Sequence, residues 1–252
     1  ESPILLWEFT NSNLGLSYGN PIIAKRADGT WVVALTSGYN NTAGDGMGHL
    51  FIVNANSGSL LLDISTGVGS SSNPSGLAKI NAWIADSSDN TALRYYGGDL
   101  LGNLWRFDVD NVVLPHQSAQ LLANFQTGTG TALPITIPPR LKELSGYPVV
   151  IVGTGRYLGT GDITDTTTQT LAIFKDSLTN SGWGDIRTNA TMVQQTFTVQ
   201  SDGTITSSSN AMDWNANNGW WFDFPTAGER IVTSLAMSGN TLYAGSALPK
   251  GD

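Results

Sequence analysis

Gly48-His49-Leu50-Phe51-Ile52-Val53-Asn54 is answered later in the chain by Gly102-Asn103-Leu104-Trp105-Arg106-Phe107-Asp108. Both stretches fit Gly-x-Leu-aromatic-x-apolar-Asn/Asp, and each follows short, glycine-punctuated runs of alternating polarity. A β-phrase that returns after roughly 55 residues marks a repeated sheet module. One such module cannot bury its own apolar faces, and radial stacking of modules is the common solution. The chain therefore reads as all-β, a β-propeller with about four recognisable four-stranded modules.

The rest of the first module lies around the first copy. Residues 21–25 read as a short inner strand, Asp28-Gly29 as a hairpin turn, and residues 30–35 and 49–54 as the next two strands. Asn56-Ser57-Gly58 turns into a fourth strand at 60–64. The second module uses 76–85, 93–98, 103–108 and 120–125. The third runs from 134–137 through 147–153 to 170–174, and the fourth from 230–235 to 241–245. Inner strands start just under 60 residues apart for the first two steps and roughly 95 for the third. The excess places an insertion around residues 176–229, which contains residues 192–199, a Ser201-Asp202-Gly203 turn and the aromatic stretch Gly219-Trp220-Trp221-Phe222-Asp223-Phe224, and reads as the third blade's outer strands plus an extra hairpin. Residues 5–9 read as a strand completing an element that begins elsewhere. No window sustains a 3.6-residue period, so helices are not expected. Three full modules and a partial fourth leave a ring open. Residues 1–252 thus read as one propeller domain within a larger modified propeller, in preference to a small ring closed by 5–9. The strand-like opening at Glu1, without a signal peptide, and the stop at Lys250-Gly251-Asp252 suggest a mature or excised piece of something longer.

Composition narrows the function. The 252 residues are 40% hydrophobic, enough for a sizeable core. Only 13% are charged, against about 25% in an ordinary soluble domain, so Ser, Thr, Asn and Gly carry the polar surface. The 29 glycines supply positive-φ turns. A net charge of −8 with twelve scattered Lys and Arg argues against nucleic acid and against anionic membrane surfaces. With no cysteine, disulfides and thiolate chemistry are absent from this sequence. No apolar run approaches the ~20 residues of a membrane span.

Chemistry-bearing patterns are few. His49 and His116 are the two histidines. His49 occupies a repeat position that holds Asn103 in the sister module, and reads as blade surface rather than catalyst. His116 follows Pro115 in a loop without an acidic pair. Neither His-Glu-x-x-His nor Gly-x-Ser-x-Gly occurs, so no catalytic and no cofactor-binding residue is assigned. Gly153-Thr154-Gly155-Arg156-Tyr157-Leu158-Gly159 resembles a dinucleotide fingerprint, but its last gap is one residue too long and no helix follows. Asp86, Ser88 and Asn90 place oxygen side chains at alternate positions, like the start of a calcium loop. Thr91 stands where the turn glycine belongs, and no Glu follows at the twelfth place, so a bare Asp/Ser/Asn turn is the other reading. Asp45, and Asp162 with Asp165, are lesser metal candidates. Among eight tryptophans, Trp31, Trp83 and Trp105 fall at alternating strand positions and read as packing. Trp183 and Trp214 lie in loops and read as exposed candidates for sugar or surface binding.

Tyr96-Gly97-Gly98-Asp99-Leu100-Leu101-Gly102-Asn103-Leu104-Trp105-Arg106-Phe107-Asp108 resembles the signature of the PilC/PilY family of type IV pilus assembly and tip-adhesin proteins. Residues 152–159, together with 6–9, 37–41 and 228–233, are similar to further family segments in the family's order. The resemblance covers nearly the whole chain. It implies a modified β-propeller at the C-terminal end of a large secreted protein, on the outer membrane surface or at the pilus tip. Such a protein would promote pilus extension, oppose retraction and mediate surface or host attachment, with pilin or minor pilin subunits as partners and no enzymatic activity. It also implies a calcium loop just before the Gly-Asp motif, at 86–90. There this sequence departs: the loop is short, and Leu93 and Arg94 stand where a late carboxylate is expected. No Arg-Gly-Asp tripeptide occurs. Two other readings remain beside it, a quinoprotein-like dehydrogenase propeller and a glycan-binding propeller using Trp214.

Overall fold

The computed structural model describes residues 4–84 and 86–250. Ala85, at the end of the second expected inner strand, and the terminal residues Glu1 and Gly251-Asp252 lie outside the described residues. The first sheet comprises β1 (Ile22–Lys25), β2 (Trp31–Thr36), β3 (Met47–Asn54) and β4 (Leu60–Gly69), antiparallel in that order. The second comprises β5 (Ile80–Ile84), β6 (Ala92–Gly98), β7 (Asn103–Phe107) and β8 (Ala119–Asn124), again in chain order. This four-stranded meander, written twice, is the blade of a β-propeller.

The third sheet is built differently. β9 (Arg140–Leu144), β10 (Tyr147–Gly153), β11 (Thr170–Lys175), β12 (Met192–Gln194) and, after the hairpin of β13 (Phe197–Val199) and β14 (Ile205–Ser207), β15 (Gly219–Asp223) are arranged β12-β15-β11-β10-β9. β12 joins β15 in parallel. The insertion thus supplies two outer strands, β15 and β12, and an extra hairpin turned at Gly203 with φ 82°. A last hairpin pairs β16 (Ala236–Ser238) with β17 (Thr241–Tyr243). Thr160–Ile163 is a short 3-10 turn. Among the described residues no helix is long and apolar enough to cross a membrane.

Three expected strands are corrected. Residues 134–137 form no ladder: Ile135 makes only an isolated bridge to Gly155, although Ile135 and Ile137 are buried. The edge strand is instead the polar β9, turned into β10 by Ser145 and Gly146, both at positive φ as a tight hairpin requires. Residues 230–235 carry one bridge, Arg230 to Ala247, and the hairpin starts later, at Ala236. Residues 5–9 are not a strand. Trp7 and Phe9 anchor this segment through side chains: Trp7 Nε1 donates to the Ala55 carbonyl at 2.9 Å, and Phe9 packs on Phe51 with ring centroids 5.6 Å apart. The Trp7 ring lies so close to Gly58 that a Cβ there would sit 2.7 Å from it, at a φ of +72°.

The described chain forms two compact units. The first takes in the described residues up to Asp99 with Trp105–Leu121 and Leu178–Asn180; the second takes in Leu100–Leu104 with Leu122–Ser177 and the described residues from Ser181 on. β2 alternates buried and less buried residues as a one-sided strand should, whereas the interior of β3 is buried throughout. Leu50 and Ile52 enter the first core with Val32, Leu77, Tyr95 and Phe107, each worth about 1.5–3 kcal/mol on burial. Phe51 points to the other face of β3, where Phe9 covers it. The second core gathers Val149, Ile151, Leu171, Ile173, Phe222 and Ile231.

Candidate functional site

The segment resembling the family signature is built into buried polar nodes. Asp99, 0% exposed, accepts hydrogen bonds at Oδ2 from Ser75 Oγ (3.1 Å) and Trp105 Nε1 (2.9 Å). Gly102 turns the chain at φ +80°, where a Cβ would meet the Phe125 carbonyl at 2.3 Å. The buried Arg106 guanidinium donates to the carbonyls of Leu114 and Thr179. Asp108, 1% exposed, accepts the amides of Asn111, Val112, Val113 and Gln117 at 2.8–3.1 Å and so shapes the loop after β7. The family resemblance marks this segment, and its polar side chains work through near partners, the loop 111–117 and Leu114, together with the distant Ser75 and Thr179.

In the second unit, two more family-like segments meet at Arg230. Its fully buried guanidinium donates to the carbonyls of Arg156 (2.8 Å), Asp162 (2.9 Å), Gly228 (2.7 Å) and Asp165. Asp162 turns inward, pairing with Arg156 Nε at 2.7 Å and accepting the amides of Leu158 and Gly159. The amides that a dinucleotide phosphate would need are thereby taken. Burial works against the Asp162 charge, but the Leu158 amide and the Arg156 guanidinium outweigh it and hold the carboxyl below its usual value. A depressed folded value stabilises above the unfolded carboxylate range near 4 and is lost as pH falls through the folded value. Thermal melts stepped from pH 5 to pH 2 are therefore expected to lose more stability for the wild type than for Asp162→Asn. Parallel losses would remove Asp162 from this role.

His49 is not on the surface. It is 4% exposed, stacked on Phe51 at 7° between ring planes. Nδ1 lies 2.6 Å from Asp63 Oδ1, and Nε2 lies 3.0 Å from Asp45 Oδ2. The ring thus clamps the loop bearing Asp45 to β4, and this engages Asp45, a lesser metal candidate. His116 lies in the loop expected for it and is exposed.

The calcium candidates sit in the turn between β5 and β6. Asp86 Oδ1 accepts Ser88 N (2.8 Å) and Ser88 Oγ (2.6 Å). Asn90, at φ 63°, turns away and donates Nδ2 to the Ile23 carbonyl at 3.3 Å. The bonds from Ser88 hold the Asp86 carboxyl below its usual value. Among the described residues no group of three or more His, Asp or Glu side chains is arranged to hold a metal ion.

The tryptophans divide otherwise than expected. Trp105 is buried and Trp83 half-buried under the Arg94 guanidinium, 4.5 Å from its ring. Trp31 is 42% exposed, because β2 presents its first residue to solvent. Trp183 and Trp214 are half-buried; Trp183 Nε1 donates to the Lys175 carbonyl, and the Trp214 carbonyl accepts Lys175 Nζ, both at 2.7 Å.

Trp214 helps to line an apolar cleft of about 790 Å³ in the second unit, with Trp220, Phe222, Met237 and Leu242. That volume is in the range of ligand-sized pockets. A second, polar cleft of about 490 Å³ is walled by threonines from residues 127–131 and 166–168. At its base Arg187 forms a bidentate pair with Asp223 (2.6 and 2.7 Å) and stacks 4.6 Å from the Trp221 ring centroid. Both clefts escaped the sequence reading because their walls come from separated segments. The aromatic stretch 219–224 was the available signal.

Residues 8–210 match the PilY1 beta-propeller domain family model. The chain is 28% identical, over 98% of its length, to a type IV pilus biogenesis factor PilY1 of Pseudomonas aeruginosa, covering 25% of that protein. A PilY1 homolog of Xylella fastidiosa is 29% identical over 97% of the chain, which covers 20% of it. The chain thus spans a quarter or less of these relatives. The crystal structure of the Pseudomonas aeruginosa PilY1 C-terminal domain superposes with a TM-score of 0.80 at 26% identity, covering 97% of this chain and 59% of that one. The all-β propeller architecture agrees with the sequence expectation.

Proposed function

This chain belongs to the PilY1 β-propeller family, and from that membership we propose that it is a non-enzymatic module of a type IV pilus biogenesis factor. It docks on pilin or minor pilin subunits at the cell surface or pilus tip, supports pilus extension and contributes to attachment. The match over residues 8–210 carries this reading, and the named relatives are pilus biogenesis factors. Two structural features support a binding role over chemistry. The signature aspartates Asp99 and Asp108 are committed to internal hydrogen bonds, and His49 is clamped between two carboxylates. The surface left over is rich in Ser, Thr and Asn, suited to recognition.

The test is a titration of the purified chain against each purified pilin and minor pilin of its own organism. Saturable binding to at least one subunit at micromolar concentration is expected. Absence of binding to every subunit would overturn the docking role.

A further inference from the structure

The family resemblance implies calcium at residues 86–90, and the donor set found there does not fit it. Calcium takes six to eight oxygen ligands at about 2.3–2.6 Å. Here both oxygens of Asp89, one of Asp86 and two backbone carbonyls of the loop are engaged. Asp89 Oδ1 accepts Lys25 Nζ at 3.0 Å, and Asp89 Oδ2 accepts the Thr91 hydroxyl. Asp86 Oδ1 is taken by Ser88. The backbone is also committed: the Asn90 carbonyl accepts the Lys25 amide at 3.0 Å, and the Asp86 carbonyl accepts the Asn90 amide at 2.9 Å. Lys25 and Thr91 form a parallel bridge, so the loop lies directly against β1.

Of Leu93 and Arg94, which stand where the late carboxylate is expected, Arg94 brings a second positive charge. Its guanidinium is buried over Trp83 and donates Nε to Tyr96 Oη at 2.6 Å. Lys25 is itself oriented, with its ammonium 5.5 Å from the Trp31 ring. A divalent ion using both carboxylates of the loop would compete with an ammonium already seated on Asp89, in an exposed pair of modest strength.

We propose that Lys25 stands in for calcium: its ammonium is a tethered cation that neutralises Asp89 and fastens loop 86–91 to β1, making the order of the loop independent of calcium. The inference concerns this loop alone and stands apart from the docking role.

Amide NMR of the purified chain tests it. In the wild type, moving from EDTA to millimolar CaCl2 is expected to leave the amides of residues 86–91 in place. Saturable shifts of those amides with a Kd tighter than about 1 mM, the weak end of protein calcium sites, would overturn the proposal. Lys25→Met is expected to speed hydrogen exchange in residues 86–91 about two- to fivefold, the size of an exposed ion pair, and Lys25→Arg to keep it near wild type. Unchanged exchange in Lys25→Met would equally overturn it, because the ammonium would not then be the tether. Native-like amide spectra outside the loop serve as the folding control for both variants.

Discussion

Asp108→Ala is expected to destabilise the domain by about 3–5 kcal/mol. The carboxylate is 1% exposed and receives four backbone amides from the loop that follows β7. Hydrogen bonds to a charged acceptor are worth about 1.5–3 kcal/mol each, and a buried donor left without a partner costs about 1–3 kcal/mol. The four do not add in full. Asn111, Val112 and Gln117 are exposed residues whose amides can turn to water, and only Val113 is buried. For a chain of this length the loss corresponds to a fall in Tm of roughly 6–20 °C. Asp108→Asn keeps one acceptor oxygen and is expected to fall between the wild type and the alanine variant. Differential scanning calorimetry measures all three. A shift below about 2 °C for Asp108→Ala, less than 1 kcal/mol at this size, would show that the loop does not depend on this carboxylate.

The second large effect is at Trp105, where packing and a polar bond coincide. Its ring is buried in the first core and its Nε1 donates to Asp99 Oδ2 at 2.9 Å. Trp105→Ala is expected to cost about 3–5 kcal/mol through the cavity it leaves. Trp105→Phe keeps most of the apolar contact and removes the donor, with an expected cost of about 1–3 kcal/mol. Urea denaturation of the pair separates the contributions. If both variants lose the same amount, the bond to Asp99 rather than packing is what the indole supplies. A loss below about 1 kcal/mol in Trp105→Ala would be at odds with a buried core position.

What was legible in the sequence was the module, because alternation and turn chemistry act locally. Asp28-Gly29 and Asn56-Ser57-Gly58 sit between strands as read, and the repeated phrase lies in β3 and β7. What was not legible followed from treating burial as pairing. Ile135 and Ile137 are buried without joining a ladder, while the polar Arg140-Leu141-Lys142-Glu143-Leu144 makes the edge strand. An edge strand with solvent beside it needs no apolar alternation. Trp7 and Phe9 likewise look strand-like because they pack, not because their backbone is paired.

His49 shows a different failure. Its equivalence to Asn103 suggests tolerance of a surface position, yet Asn103 is itself only 7% exposed and accepts a hydrogen bond from Asn124 Nδ2 at 2.7 Å. A polar residue in both copies marked buried polar positions with partners, not exposed ones. The candidate site was less legible than the fold for the same reason. The clefts and the Lys25–Asp89 contact are products of long-range assembly, and Lys25 lies 64 residues from its partner.

If these blades form the working surface of a type IV pilus biogenesis factor, as proposed from the family match, their loss should cost the cell its pili. The most direct measurement is a count of surface pili in cells of the native organism after in-frame deletion of the codons for residues 1–252, with the abundance of the remaining gene product monitored. Piliation falling to the level of a strain lacking the whole gene is the predicted result. Undiminished pili would contradict it.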